Sequence, residues 1–236
     1  MDQSREESQA EDRFDNYATL SRLYRLEVDS SLLDDLIESP SVDPTGNELF
    51  DSGCASIRSF IDSVEDRDKA LSDLAIDYCL VFLGYGVAPE KADETKLNAA
   101  YPYESFYRTG SKTLGGDNCI DVSKTYRECM FMPQRDRIIA EDHIACELEF
   151  LQFLARMELE ALREGDEKAV REAREKSLAF LRDHLLVWIG PFREAVEGFA
   201  ETDFYRGLPE MTQGWIEMDA VLLEESLACE EDACNG

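Results

Sequence analysis

The carboxylates Glu104, Asp142 and Glu147, the histidines His143 and His184, and Ser105 are the residues of this chain whose types and spacing invite chemistry. Glu104 and Ser105 lie in Pro102-Tyr103-Glu104-Ser105-Phe106-Tyr107. Asp142 and His143 open the run Asp142-His143-Ile144-Ala145-Cys146-Glu147-Leu148-Glu149-Phe150-Leu151, and His184 leads His184-Leu185-Leu186-Val187-Trp188. An Asp–His pair with a serine raises the question of nucleophilic catalysis, in which histidine takes the hydroxyl proton and aspartate orients the ring. The surroundings of Ser105 oppose it, because no Gly-x-Ser-x-Gly elbow encloses the residue and a glutamate precedes it. Two histidines in the whole chain leave too few imidazoles for a zinc or iron centre. None of the seven cysteines forms a C-x-x-C pair, and Cys229 and Cys234 stand too isolated to read as a metal site. The expectation is a protein with no catalytic residue, no metal and no cofactor.

The same residues have plainer readings. Aspartate at a helix start accepts backbone N–H bonds and suits the positive end of the helix, which is typically worth about 1 kcal/mol. Such a cap is compatible with ligand binding, since a carboxylate has two oxygens. His184 lies on an apolar stripe and reads as a satisfied core histidine. Tyr103, Phe106 and Tyr107 either plug the loop onto a helical core or wall a groove. Glu104, a carboxylate between aromatics, is expected to seat a guanidinium by ion pairing and stacking. The cysteines read as reduced structural thiols on helix faces.

Helices must position these residues. Tyr17, Leu20 and Tyr24 recur at helical spacing. Ser30 is the expected cap of a short piece carrying Leu33, Leu36 and Ile37 before Pro40. Phe50, Ile57, Ile61 and Val64 form the next stripe, then Leu71, Leu74, Ala75, Tyr78 and Phe82, stopped by Gly84 and Gly86. Residues 84–121 hold two prolines and five glycines, with four aromatics between Tyr101 and Tyr107, and read as an unusually long ordered loop. Helix is expected again from Val122 to Met132, where Pro133 breaks it. Ile144, Leu148, Leu151, Ala155, Leu159 and Leu162 then form a long stripe that Gly165 ends, and Asp166 caps the next helix. That helix, through Phe180, His184 and Trp188, is expected to stop at Gly190-Pro191, where another starts. Asp203-Phe204-Tyr205 opens the last region, continued by Met211, Trp215, Met218 and Leu222. The fold expected is all-α, a bundle in two parts, residues 1–135 and 136–236, joined by a hinge near Pro133 to Ala140.

Charge excludes several classes of partner. The chain of 236 residues carries 52 acidic against 24 basic residues, a net charge of -28. Such a surface repels nucleic-acid phosphates and anionic lipid headgroups and attracts a basic ligand. Apolar residues make up 44%, enough for a packed core. The first thirteen residues hold five acids and two arginines, so no export signal is expected there. No run of low charge approaches a membrane span, and no stable membrane insertion is expected.

Taken in order, these blocks resemble the TorD/DmsD family of chaperones for redox enzymes that bear twin-arginine signal peptides. The family pattern is a Pro-Tyr-Glu-Ser-aromatic-Tyr loop, an Asp-His segment entering a leucine- and glutamate-rich helix, a Phe-x-x-x-His-Leu-x-x-Trp block and a Phe-Tyr pair. The chain offers Pro102 to Tyr107, Asp142-His143 with Glu147 to Phe150, then Phe180, His184, Leu185 and Trp188, then Phe204-Tyr205. Leu74, Tyr78, Phe82, Leu83 and Gly84 also resemble the family's helix before the loop, and the likeness covers roughly residues 17 to 225. One departure stands out: Ile139 and Ala140 replace the acidic residue and proline expected before Asp-His.

The resemblance implies a TorD-like two-part helical bundle and a cytoplasmic, non-catalytic binding role. The implied partners are the twin-arginine signal peptide and catalytic subunit of a molybdopterin oxidoreductase, held until the cofactor is inserted. The alternative is a helical adaptor that binds the folded enzyme subunit and no signal peptide. Candidate signal-peptide contacts are Tyr103, Glu104, Ser105, Tyr107, Asp142, His143, Glu147, Leu148 and Leu151, with Phe131 as a further wall. Some members are suspected of binding guanine nucleotide; here Gly115-Gly116 lacks the Lys-Ser/Thr that cradles phosphate. The protomer is expected alone or as a dimer that swaps halves about the hinge.

Overall fold

A computed structural model describes residues 3–85, 98–108, 117–134 and 139–235, except for the side chains of 117–118 and 230–235. Parts of the expected long loop and hinge, including Gly86 and Gly115-Gly116, fall outside the described residues. The order of helices is α1 (Gln3–Arg25), α2 (Ser30–Glu38), α3 (Glu48–Asp62), α4 (Arg67–Tyr78), α5 (Glu104–Arg108), α6 (Asp117–Glu128), α7 (Ile144–Glu164), α8 (Glu167–Phe180), α9 (Leu186–Phe199) and α10 (Asp203–Asn235). Wider π turns extend α4 over Cys79–Leu83 and join α8 to α9 over Leu181–Leu185. No strand forms among the described residues, so the fold is all-α, with one isolated antiparallel bridge between Tyr103 and His143.

Local chemistry accounts for most boundaries, and four depart from the sequence expectation. Asp29, not Ser30, caps α2: its carboxylate accepts from the Leu32 amide at 2.9 Å. α6 begins at Asp117 and ends at Glu128, short of Met132, because Met130 takes a left-handed backbone with φ 55°. α7 is capped by His143 rather than Asp142: the Ala145 amide donates to His143 Nδ1 at 3.0 Å. Gly190-Pro191 does not end a helix, and α9 runs through it. Proline removes one backbone bond there, but Trp188, Ile189, Phe192 and Val196 are all buried, and their packing outweighs the loss. Gly165 does close α7, with φ 73° and its amide bonded to Leu162 at 3.2 Å.

The core runs through the whole bundle. Rings of Tyr24, Tyr78, Phe82, Phe192 and Tyr205 interlock, with Tyr78–Phe82 at 5.3 Å and Phe82–Tyr205 at 5.6 Å. The Asp77 carboxylate, also buried, accepts from the amides of Glu201 and Thr202 at 2.9 and 2.7 Å and so fixes the entry to α10. The main pairings join residues far apart in the chain: α1 lies along α7, and α3 lies along α10. Glycines set the second pairing. A Cβ added at Gly53 would lie 2.6 Å from the Gly207 carbonyl oxygen, and one at Gly214 would lie 2.7 Å from Phe50 Cα. The first is held by ions. Arg13 is buried between Glu158 and Asp219, Tyr17 donates to Asp219, and Arg174 donates to Glu158 at 2.7 Å. These burial-compensated charges tie α1, α7, α8 and α10 together.

Candidate functional site

Two chain segments meet to form the site. The Tyr103–His143 bridge brings the 102–105 segment against the entry to α7. Glu104 N–H donates to the Asp142 carbonyl at 2.9 Å, and Ile144 N–H donates to the Pro102 carbonyl at 2.9 Å. Asp142 Oδ2 accepts from the Ser105 amide at 3.1 Å, so this aspartate fixes α5 rather than starting α7. Its other oxygen, Oδ1, is buried and has no hydrogen-bond partner among the described residues. Tyr126 closes the rear by donating from its hydroxyl to the Glu141 carbonyl at 3.1 Å. The turn ahead of α7 forms without the expected proline, with the His143 amide on the Ala140 carbonyl at 3.1 Å.

The two buried glutamates of the site are shifted in opposite directions. Glu104 is fully buried. Burial alone would raise its pKa, but His184 and then Arg108 outweigh that by hydrogen bonds and charge, and the net shift is downward. His184 Nδ1 lies 3.0 Å from one Glu104 oxygen, and the Arg108 guanidinium holds the other. Arg108 also donates to the Asp183 carbonyl at 2.8 Å, which ties α5 to the π turn carrying His184. Glu147, equally buried, is pushed well above 4.5 by desolvation first and by the charge of Glu104 second. Its surroundings thus favour the protonated form, and it accepts from Trp188 Nε1 at 3.2 Å. Tyr107 stacks on Trp188 at 5.7 Å and 13°, and burial raises its pKa.

Of the residues singled out from sequence, Tyr103, Glu104, Ser105, Asp142 and His143 form one cluster. Glu147 and Tyr107 adjoin it through Trp188. Tyr103 and Tyr107 stay partly exposed, while Glu104, Ser105, Asp142, His143 and Glu147 are buried. Tyr103 meets His143 edge-on at 4.8 Å, and burial followed by the nearby Asp142 charge pushes it up to about 12. Leu148 and Leu151 have no exposed surface at all. They belong to the core and present no open groove wall, because their side of α7 faces the bundle interior. Phe131 does keep an open face: with Phe14, Met130, Met132 and Phe153 it lines a groove of about 370 Å³ along α7.

Arg108 escaped the sequence reading, although its place four residues after Glu104 is the one signal that pairs them on a helix. The partnership of Trp188 with Glu147, 41 residues apart, carried no local signal. A triad does not form. Asp142 takes a backbone amide of Ser105, and His143 Nδ1 takes the Ala145 amide. Among the described residues no group of histidine, cysteine and carboxylate side chains is placed to hold a metal. No described helix is long and apolar enough to cross a membrane.

Fold and site together define an all-α protein whose distinctive residues hold and orient rather than react. A sequence model described as nitrate reductase delta subunit matches residues 47–194. The protein named Chaperone protein TorD from Photobacterium profundum is 27% identical over 168 residues, covering 71% of this chain and 72% of that protein. Its namesake in Vibrio parahaemolyticus is 28% identical over 197 residues, covering 82% and 80%. The one in Shewanella piezotolerans is 26% identical over 219 residues, covering 86% and 88%. The chain belongs to the TorD/DmsD family of redox-enzyme maturation chaperones, a family of chaperones and not of enzymes.

Proposed function

We propose that this chain works in the cytoplasm by binding the twin-arginine signal peptide of a molybdopterin oxidoreductase, and that it retains the catalytic subunit until the cofactor is inserted. One observation carries the reading: Glu104, a buried carboxylate flanked in sequence by Tyr103 and Phe106, already accepts a guanidinium, that of Arg108. An incoming arginine takes the place of Arg108, which is partly exposed and can swing out to solvent. The unbonded oxygen of Asp142 receives the second arginine, and Tyr103 supplies a ring face. The apolar stretch of the signal lies in the groove of Phe131, Met130 and Met132, the last two 92% and 72% exposed. Methionine adapts to varied apolar side chains, which suits a leader whose sequence is loosely specified.

Magnitudes divide the labour. An arginine that displaces Arg108 exchanges one Glu104 ion pair for another, and at buried Asp142 the cost of desolvating a guanidinium offsets much of the Coulomb gain. Burying a leucine-sized side chain contributes roughly 1.5–3 kcal/mol, against about 2–5 kcal/mol for ordering the peptide. The apolar stretch supplies most of the affinity, and the arginines set the register. Titration calorimetry with three peptides tests this. Changing both arginines to lysine weakens binding modestly, and a polar substitution in the apolar stretch nearly abolishes it. The reverse order, or no heat with any of the three, refutes the reading.

A further inference from the structure

A second groove shares no lining residue with the site above. α3 sits against α10 and α1 against α7, which leaves a slot between α1 and α3. Phe204, Met211 and Trp215 of α10 line it, with Leu20, Phe50 and Ile57 among the residues on its sides. The connection after α2 runs along its edge, pinned by Arg58 on the Ser39 carbonyl at 3.1 Å and by Asp51 on the Thr45 and Gly46 amides at 2.8 and 3.0 Å. Val42, midway along that strap, is 61% exposed. The slot measures about 220 Å³, smaller than the roughly 300–1,000 Å³ of small-molecule and cofactor sites. It has room for a few apolar side chains.

The rim decides what those side chains belong to. Asp12 and Asp15 stand one helical turn before Asn16 and Thr19 on the edge of α1, and both are exposed. Across the slot, Asp35, Glu38 and Asp43, each next in sequence to lining Leu36, Ser39 or Val42, and Glu48, two before lining Phe50, are exposed as well. Arg58, which lines the slot, pairs with Asp62 at 2.6 Å, and Arg22 on α1 pairs with Asp29 at 2.7 Å. An apolar slot with carboxylates on both lips fits apolar anchors flanked by lysine or arginine.

We infer that the slot between α1 and α3 is a docking surface for a cationic amphipathic helix of a partner protein, separate from the proposed signal-peptide site. Only two tryptophans occur in the chain, and Trp215 lines the slot while Trp188 is buried beside Glu147. Fluorine NMR of the full chain carrying 5-fluorotryptophan therefore gives one signal for each site. The probe is a synthetic helix with leucines on one face and lysines on its flanks; the control replaces each lysine with glutamate. The lysine peptide is expected to move the Trp215 signal and leave that of Trp188 in place, and the glutamate peptide to move neither. Thr19→Phe, which fills the mouth from an exposed position, weakens binding at least tenfold. The double change Asp12→Lys and Asp15→Lys, wholly on the surface, weakens it about tenfold at low salt and flattens its salt dependence. Equal binding of the two peptides, an unmoved Trp215 signal, or unchanged affinity in the double variant overturns the inference. So does a Trp215 signal that shifts with protein concentration alone, which would make the occupant a second copy of this chain. Failure of twin-arginine peptides to bind leaves the inference standing, since no residue is shared.

Discussion

The surroundings of Glu147 favour its protonated form, and that sets a pH dependence. Its folded pKa lies well above the 4.5 of a free glutamate, so the folded state binds more protons than the unfolded state above that pH. Its contribution is fully present below 4.5 and is lost as pH rises toward the folded value. Glu104, shifted downward, acts in the opposite sense and only below the ordinary range: its contribution is present above 4.5 and fades in acid. Glu147→Gln keeps an acceptor for Trp188 and removes the titration. The variant should gain on the parent as pH rises from 5 to 8, by up to about 1.4 kcal/mol per unit, read by chemical denaturation at several pH values. A constant difference across that range would mean that Glu147 titrates normally. Much at this scale was legible in sequence: Tyr103, Glu104, Asp142 and His143 do converge. What sequence concealed was who partners whom. Asp142 serves the Ser105 amide across 37 residues, and His143 does the capping that the residue before it was expected to do.

At the scale of helices, periodicity fixed the faces and left the interfaces open. The stripe from Ile144 to Leu162 is the buried face of α7, as its spacing requires. Nothing in that stripe says that α1 is its neighbour, because the tie runs through Arg13, Glu158 and Asp219, up to 206 residues apart. Gly190-Pro191 shows the limit of local punctuation, since a buried aromatic face carried the helix across it. Gly53, Gly207 and Gly214 look like weak helix formers in sequence and prove to be the contact that lets α3 meet α10 backbone to backbone. Gly53→Ala should therefore destabilise the protein by about 2–3 kcal/mol through overpacking. Gly198→Ala, where an added Cβ meets nothing within 4 Å, should be neutral or stabilising. Thermal melts of the two variants check the contrast; equal shifts would exclude close packing as the cause.

Across the whole molecule, a net charge of -28 on 236 residues presses outward on every helix at once. Self-repulsion of this kind is screened by salt, whereas the buried Arg13 network is not. Raising sodium chloride from 0.05 to 1 M should raise the melting temperature, by roughly 2–4 °C for each kcal/mol of repulsion removed. A melt indifferent to salt would mean that local pairing had already neutralised the surface. The pairing of α3 with α10, and of α1 with α7, has a further consequence for how the polypeptide comes into being. As the chain leaves the ribosome, α3 emerges long before residues 203–235 that must cover its glycine face. The early helices therefore wait with apolar surface uncovered until α10 has been made, and folding is slower than an all-helical composition would imply. A protein built to shelter others thus passes its own first moments unsheltered, and α10 is the part that ends that exposure.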